Sequence, residues 1–114
     1  PTIVLDANGD FYFATGSPGG SSIIAYVTKT LVGVLDWGLS PQEAVDLPNV
    51  VARGGVRVES SRAPAGLIEG LRSYGQDVQE VAGENSAAHA VLRRPDGSLA
   101  TGVAPRGAGV AVRP

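Results

Sequence analysis

The chain contains no cysteine and no methionine among its 114 residues. The absence of thiols excludes a disulfide framework, a thiolate metal site and a cysteine nucleophile. The single histidine, His89, cannot supply a metal site that needs several histidine ligands. No metal site is expected from this composition.

Positive charge is also limited. It comes from eight arginines and one lysine, Lys29, and the formal net charge at pH 7 is −2. Arg93 and Arg94 are adjacent but isolated, so a basic surface for nucleic acid is not expected. The longest apolar stretch, residues 23–37, is interrupted by polar side chains and is too short for a comfortable membrane span.

The hydrophobic share of 43% is ordinary for a globular protein. The length suits one core, and we therefore expect residues 1–114 to form a single domain. The chain begins with Pro1 and has no methionine, so we expect it to be a piece of a longer protein. No secretion signal is visible, which under this expectation says little about location.

The first local pattern predicts a β-hairpin. Residues 2–6 and 11–14 are apolar runs of strand character, and Asn8-Gly9 lies between them. Both turn residues tolerate positive φ, which two-residue hairpin turns require.

Two helices are predicted next. Apolar residues recur at spacings of three and four after Ser21 or Ser22, either of which is expected to cap the helix that Gly38 ends. Residues 40–43, Ser-Pro-Gln-Glu, then form a capping box that begins a short second helix, and Pro48 stops it.

The remaining chain alternates strands with one further helix. We predict strands over 56–59 and 78–81, a helix over 64–74, and a hairpin of 87–93 and 98–102 turning at Pro95-Asp96-Gly97. Residues 106–114 are rich in glycine and alanine and are expected to form a loosely held tail. Hairpins with helices packed on one face predict an α+β fold.

The most informative feature is the heptapeptide Thr15-Gly16-Ser17-Pro18-Gly19-Gly20-Ser21, which joins the second strand to the first helix. Its three glycines let the backbone turn sharply and approach another group closely. The free N–H groups at a helix start can hold an anion or a developing negative charge. The segment is thus either a plain strand-to-helix turn or half of an active site. Phosphate binding is disfavoured because the glycine spacing does not fit a P-loop.

The order of further motifs extends this observation. Pro1-Thr2-Ile3-Val4 precedes the glycine loop, Asp36-Trp37-Gly38-Leu39-Ser40 follows the helix, and Glu43-Ala44, Pro48, Pro95-Asp96-Gly97 and Pro105-Arg106-Gly107 come after it. This series resembles the C-terminal part of the small subunit of γ-glutamyltransferases over essentially the whole chain. The resemblance implies a partial αββα sandwich of the N-terminal nucleophile hydrolases.

The resemblance also implies a reaction. In this family a small-subunit N-terminal threonine attacks a γ-glutamyl amide such as glutathione, and the γ-glutamyl group passes to water, an amino acid or a peptide. Gly19 and Gly20 match the glycines whose backbone N–H groups form the oxyanion hole, and Ser17 and Pro18 are the loop residues expected beside the substrate. The resemblance implies no cofactor. The nucleophile is expected outside this chain, so the chain alone should be inactive.

The implied partners are the rest of the small subunit, the large subunit and the γ-glutamyl substrate. A piece of a sandwich exposes core-facing surface, so we also expect possible self-association into a homo-oligomer. Members of the family are often periplasmic or extracellular.

Two departures from the family pattern leave an alternative open. Ser22 stands where many members have arginine, and Ala104 precedes Pro105-Arg106 where the family usually has aspartate. The second change removes an expected partner of Arg106. The alternative function is a non-catalytic, self-associating scaffold or interaction module derived from this fold.

Overall fold

The structure is a computed structural model and describes residues 1–112. Its elements along the chain are β1 (Thr2–Leu5), β2 (Phe11–Gly16), a 3-10 turn (Gly20–Ser22), α1 (Ile23–Leu35), α2 (Pro41–Asp46), β3 (Val50–Ala52), β4 (Val56–Glu59), α3 (Leu67–Ser73), β5 (Val78–Val81), β6 (His89–Arg93) and β7 (Leu99–Val103). Mixed helices and largely antiparallel strands confirm the α+β class.

The strands form two sheets. Four antiparallel strands take the order β1-β2-β6-β7, and three strands take the order β3-β4-β5. In the smaller sheet β3 pairs antiparallel with β4, whereas β4 and β5 run parallel because α3 connects them. The two predicted hairpins are therefore joined side by side, with β2 next to β6.

The main core lies between the four-stranded sheet and helices α1 and α2. It consists of Phe13, Val34, Ala44, Val45, Ala88, Ala90 and Ala104, all at most 5% exposed. Several members are alanines, so the helices approach the sheet closely. The approach is tightest at Gly102 of β7, where an added Cβ would lie 2.4 Å from the carbonyl oxygen of Pro41.

The opposite face of this sheet is open. By their register, Ile3 and Leu5 of β1 and Leu99 of β7 point away from the helices, and they are 70%, 57% and 43% exposed. β1 is moreover an edge strand. An uncovered apolar face beside a free edge is a surface that natural proteins normally bury against something else.

Several predicted boundaries need correction. β2 extends through Gly16, two residues beyond its predicted end, because Thr15 and Gly16 continue the ladder with β6. β3 was not predicted because it has only three residues and depends on pairing with β4. The third helix begins at Leu67 rather than residue 64. The capping box is confirmed, since the Ser40 side chain accepts from Glu43 N–H while the Glu43 side chain accepts from Ser40 N–H.

The expected loose tail is wrong at its beginning. The Arg106 side chain is only 6% exposed and is paired with Glu59. The next turn also packs closely, since a Cβ on Gly107 would lie 2.6 Å from the Cβ of Ala87. The remainder of this prediction includes residues 113 and 114, which lie outside the described residues.

Candidate active site

The glycine loop connects the end of β2 to α1 and is tied to a second loop, residues 83–88. Thr15 donates its hydroxyl proton to the His89 carbonyl at 2.9 Å and is buried. Ser17 Oγ accepts from the Ala87 N–H at 3.2 Å and donates to the Pro18 carbonyl at 2.7 Å. Ser17 thus holds the loop in place, and Pro18 beside it is exposed.

Gly19 occupies a position that only glycine fits. Its φ is +139°, and an added Cβ would lie 2.4 Å from Cε2 of Tyr26. The same Cβ would be 3.3 Å from the carbonyl oxygen of Asn85. The backbone here is therefore enclosed between the Tyr26 ring and the second loop.

Gly20 differs in its surroundings. Its φ is +56°, it is exposed, and an added Cβ would meet nothing within 4 Å. Among residues 1–112, the N–H groups of Gly19 and Gly20 donate no hydrogen bond to a protein acceptor. Two adjacent donors without a protein acceptor, of which Gly20 lies beside open space, can bind an anionic oxygen without a charged side chain.

The start of α1 does not use a serine cap, contrary to the sequence expectation. Ser22 has helical dihedral angles and its side chain makes no capping hydrogen bond. Instead Ser22 Oγ accepts a hydrogen bond from Nη2 of Arg57 at 3.0 Å. The sequence expectation set an arginine against Ser22 at this position; in the structure the guanidinium that contacts Ser22 comes from Arg57 of β4.

Arg57 is joined by hydrogen bonds through the Glu84 carboxylate to the Tyr26 phenol. Its Nε donates to Oε1 of Glu84 at 3.0 Å, and the Tyr26 hydroxyl donates to Oε2 of Glu84 at 2.5 Å. Burial, together with the hydrogen bond to Glu84, raises the pKa of Tyr26. The same carboxylate raises the pKa of Arg57 above its ordinary value. The phenol therefore stays protonated and the guanidinium stays charged at neutral pH.

Chain direction brings the N-terminal end of β1 to the same place. Thr2 pairs with Thr15, and an ideal Cβ on Gly16 would lie 3.5 Å from Cα of Pro1. Pro1 is therefore adjacent to the first glycine of the loop.

A second polar cluster lies around the carboxylate of Glu59, whose side chain is 2% exposed. Arg106 donates to it through Nε and Nη2, and the Asn49 N–H donates to Oε2 at 3.1 Å. Burial alone would raise the pKa of Glu59, but these hydrogen bonds and the arginine charge together hold it below its usual value. The ion pair is therefore fully charged at neutral pH.

Lys29 lies beside this pair. It donates to the carbonyls of Val45 and Leu47, and both carbonyls also accept from Arg106. Burial, and then the nearby Arg106 charge, lowers the pKa of Lys29 to about 8. Two cations thus share the end of α2.

Within residues 1–112 no group of three or more histidine, cysteine, aspartate or glutamate side chains is placed to hold a metal ion. In the same part of the chain, every helix is too short or too polar to cross a membrane.

The sequence predicted the loop but not the residues behind it. Tyr26 and Glu84 are 58 positions apart, and Arg57 and Glu84 are 27 apart. Tyr26 fits the apolar stripe of α1 and Arg57 fits an alternating strand, so neither pattern separates them from ordinary packing or surface residues.

Comparison with known proteins identifies the family of the chain. Residues 1–113 match the family Gamma-glutamyltranspeptidase. The chain is 35% identical over 104 residues to a glutathione hydrolase proenzyme of Escherichia coli, covering 87% of this chain and 17% of the relative. It is 32% identical over 96 residues to the acylase ACY 1 proenzyme of a Pseudomonas species, covering 84% and 17%.

A solved structure shows the same fold. The T380A mutant of Helicobacter pylori gamma-glutamyltranspeptidase superimposes with a TM-score of 0.81 at 29% identity, covering 94% of this chain and 60% of that chain. The protein thus has the fold of an N-terminal nucleophile hydrolase. The chain belongs to the gamma-glutamyltranspeptidase family, and it spans about a sixth of the length of the proenzymes it matches.

Proposed function

We propose that this chain is the C-terminal part of the small subunit of a γ-glutamyltransferase-like enzyme, and that Gly19 and Gly20 are its oxyanion-hole donors. The observation that carries the proposal is the pair of N–H groups that begins the 3-10 turn. They have no acceptor among residues 1–112, and the space beside Gly20 is open. Membership of the family makes acyl transfer the chemistry that such a pair would serve.

In this proposal the nucleophilic threonine lies outside residues 1–114. Its hydroxyl oxygen attacks the γ-carbonyl carbon of a γ-glutamyl amide, and its α-amine accepts the hydroxyl proton. The carbonyl oxygen becomes an oxyanion that Gly19 and Gly20 bind. The carbon–nitrogen bond then breaks, the proton passes to the leaving amine, and water or an amino acid later takes the γ-glutamyl group. One oxyanion donor is typically worth about 10²–10³ in rate.

The position of Pro1 supports this arrangement. Because Pro1 lies against Gly16, any residue preceding it would lie at the glycine-loop end of the sheet. The names of the relatives include both a glutathione hydrolase and an acylase. We propose glutathione or a related γ-glutamyl amide as the donor.

A matched pair of glycine variants tests the role of the loop. Gly20→Ala and Gly97→Ala both place a Cβ at positive φ with nothing within 4 Å, so the backbone strain is alike. In the full-length protein we expect Gly20→Ala to lower kcat/KM for γ-glutamyl-p-nitroanilide by up to about 10², because in this proposal the oxyanion binds beside Gly20 and the added methyl group would hinder that binding, as the loss of a donor does. Gly97→Ala, in the distant hairpin turn, should retain activity. Equal activities would reject the site, and an inert wild-type protein would reject the function.

The isolated chain is expected to be inactive. In this proposal it needs the rest of the small subunit and the large subunit as partners, and it needs no cofactor. Release of p-nitroaniline by the purified 114-residue chain, free of other enzyme, would contradict this proposal.

The open sheet face favours a second property, the self-association of the chain when it is produced alone. Ile3, Leu5 and Leu99 expose apolar surface beside the free edge of β1. Without the rest of the enzyme, this face would pair with another copy. Light scattering that shows a monomer at high concentration would argue against it. A non-catalytic scaffold would self-associate equally well but would lack γ-glutamyl transfer in the full-length protein.

A further inference from the structure

A network of side-chain hydrogen bonds that joins Ser22, Arg57, Glu84 and Tyr26 lies directly behind the glycine loop. Ser22 accepts from Arg57, Arg57 donates to Glu84, and Glu84 accepts from Tyr26. Tyr26 follows Ser22 by four residues, about one helical turn, so both ends of the network lie at the N-terminal end of α1. The Glu84 side chain is 8% exposed, and that of Arg57 is 30% exposed. The Glu84 carboxylate, which accepts from both Arg57 and Tyr26, is therefore largely removed from water.

The network contacts the glycine loop through the aromatic ring of Tyr26. An added Cβ on Gly19 would lie 2.4 Å from Cε2 and 2.9 Å from Cδ2 of that ring, so the aromatic edge closely approaches the Gly19 Cα. The hydroxyl of Tyr26 is fixed by Glu84, which fixes the far end of the same side chain. Any movement of the phenol would therefore open space beside Gly19.

The second loop adds an independent fastening. Asn85 follows Glu84, and its carbonyl oxygen would lie 3.3 Å from the added Cβ of Gly19. Two residues later, the Ala87 N–H donates to Ser17 Oγ on the other side of the glycine pair. The salt bridge between Arg57 and Glu84 thus holds the 83–88 loop, which contacts both ends of the segment 17–19.

We infer that Arg57, Glu84 and Tyr26 are positioning residues that fix the directions of the Gly19 and Gly20 N–H groups for oxyanion binding. The inference rests on the proposed function of those two glycines. Both residues are glycines, and without a Cβ their own backbone dihedral angles restrict the directions of the N–H groups only weakly. Oxyanion stabilisation needs donors that are already aimed before reaction, and a displacement of about 1 Å can cost about 10²-fold in rate.

The test uses variants of the full-length protein that contains this chain. Arg57→Met removes the bonds to both Ser22 and Glu84, and Tyr26→Phe removes one hydroxyl while keeping the ring against Gly19. We expect kcat per folded enzyme to fall about 10- to 100-fold in Arg57→Met and less in Tyr26→Phe, with KM little changed. Arg57→Lys should recover only part of kcat, because an ammonium cannot reproduce the planar fork of the guanidinium.

The matched control is Arg72→Met. Arg72 also bridges carboxylates, Glu69 at 2.8 Å and Glu80 at 2.9 Å, but it lies on α3 and its side chain is 42% exposed. We expect wild-type kcat from this variant. Hydrogen–deuterium exchange followed by mass spectrometry supplies a readout besides activity. Amides of residues 17–26 should exchange faster in Arg57→Met than in Arg72→Met.

The outcomes separate this inference from the proposed function. Lower kcat with faster exchange at residues 17–26 supports it, and wild-type kcat or unchanged exchange overturns it. If the wild-type protein transfers no γ-glutamyl group, the proposed function fails and exchange alone decides the positioning role. If Arg57→Met does not fold, Tyr26→Phe decides by the same two measurements.

Discussion

Arg106 and Glu59, which are 47 positions apart, form a buried ion pair with Nη2 2.5 Å from Oε2 and Nε 2.6 Å from Oε1. The arginine also donates to two carbonyls at the end of α2. It thereby joins the segment after β7 to both α2 and β4. In this chain Glu59 provides the carboxylate partner of Arg106, and the residue at position 104 is alanine.

Removing one member of this pair should strongly destabilise the protein. Glu59→Gln leaves a buried guanidinium without its counter-charge, and Arg106→Met leaves a buried carboxylate. Either loss typically costs about 3–5 kcal/mol. We expect the double variant to recover only part of this loss, because the carbonyls of Val45 and Leu47 lose a donor as well. Urea unfolding of the four proteins checks this cycle, and additive losses would show that the pair is not coupled.

The same pair predicts a pH dependence. The pKa of Glu59 is lower in the folded protein than its ordinary value of 4.5. Its stabilising contribution is therefore complete above about pH 4.5 and is lost as pH falls through the folded pKa. The wild type should lose stability on acidification more steeply than Glu59→Gln. Parallel stability curves for the two proteins between neutral pH and pH 3 would contradict the prediction.

Lys29 should give a dependence of the same sense, but in the alkaline range. Its pKa is about 8 when folded against an ordinary 10.5, so between these values the unfolded chain binds more protons than the folded one. The free energy of unfolding should therefore rise as pH increases from about 8 towards 10. Lys29→Met should lose this rise. Urea midpoints at a series of pH values measure it, and a rise that persists in the variant would assign it to another group.

Gly19→Ala should fail for a steric reason that does not apply to Gly20→Ala. The new Cβ at position 19 would overlap the Tyr26 ring, whereas the one at position 20 meets nothing. Overpacking costs about 1–3 kcal/mol and a side chain at positive φ about 1–2 kcal/mol, so Gly19→Ala should lose about 2–5 kcal/mol and Gly20→Ala about 1–2 kcal/mol. Thermal unfolding compares the two. An equal loss of stability would mean that the Tyr26 ring moves freely.

Placing aspartate, the residue that the family resemblance leads us to expect, at position 104 should destabilise this protein. Ala104 is 1% exposed and belongs to the main core, and Arg106 is already engaged by Glu59. A carboxyl group at position 104 would be buried without an obvious partner; even a neutral polar group costs about 1–3 kcal/mol there, and an ionised carboxylate costs more. We expect a lower urea midpoint for Ala104→Asp, with Ala104→Ser as a milder comparison. A stabilised Ala104→Asp variant would indicate that Arg106 exchanges partners.

Much of the fold was predictable because its determinants are local. The opening hairpin and the capping box at Ser40 depend on residues within a few positions of one another, although in the hairpin turn only Gly9 takes positive φ (+85°) and Asn8 does not. The glycine loop was placed correctly between β2 and α1 for the same reason. The role of Gly19 and Gly20 as oxyanion donors and the single domain over residues 1–114 stay predictions.

Errors arose where a neighbour distant in sequence decides the local structure. Ser21 or Ser22 was expected to cap α1, but α1 has no side-chain cap and the Ser22 hydroxyl accepts from Arg57 instead. Arg106 was assigned to a loose tail because the residues after it are small, but in the structure it pairs with the buried carboxylate of Glu59 on β4. The alternation of apolar and polar residues in β4 predicts that Glu59 is exposed, but in the structure Glu59 is buried like its neighbour Val58.

The sequence by itself determined the family, the two hairpins, the long helix and the position of the glycine loop. These depend on backbone preferences and on motifs of adjacent residues, which the order of amino acids specifies directly. Only the tertiary structure decided which side chains meet. The pairs Tyr26 with Glu84 and Arg106 with Glu59 form because β4, the 83–88 loop and the end of β7 converge beside α1 and α2. Such convergence depends on sheet order and burial, and no short stretch of the chain encodes either.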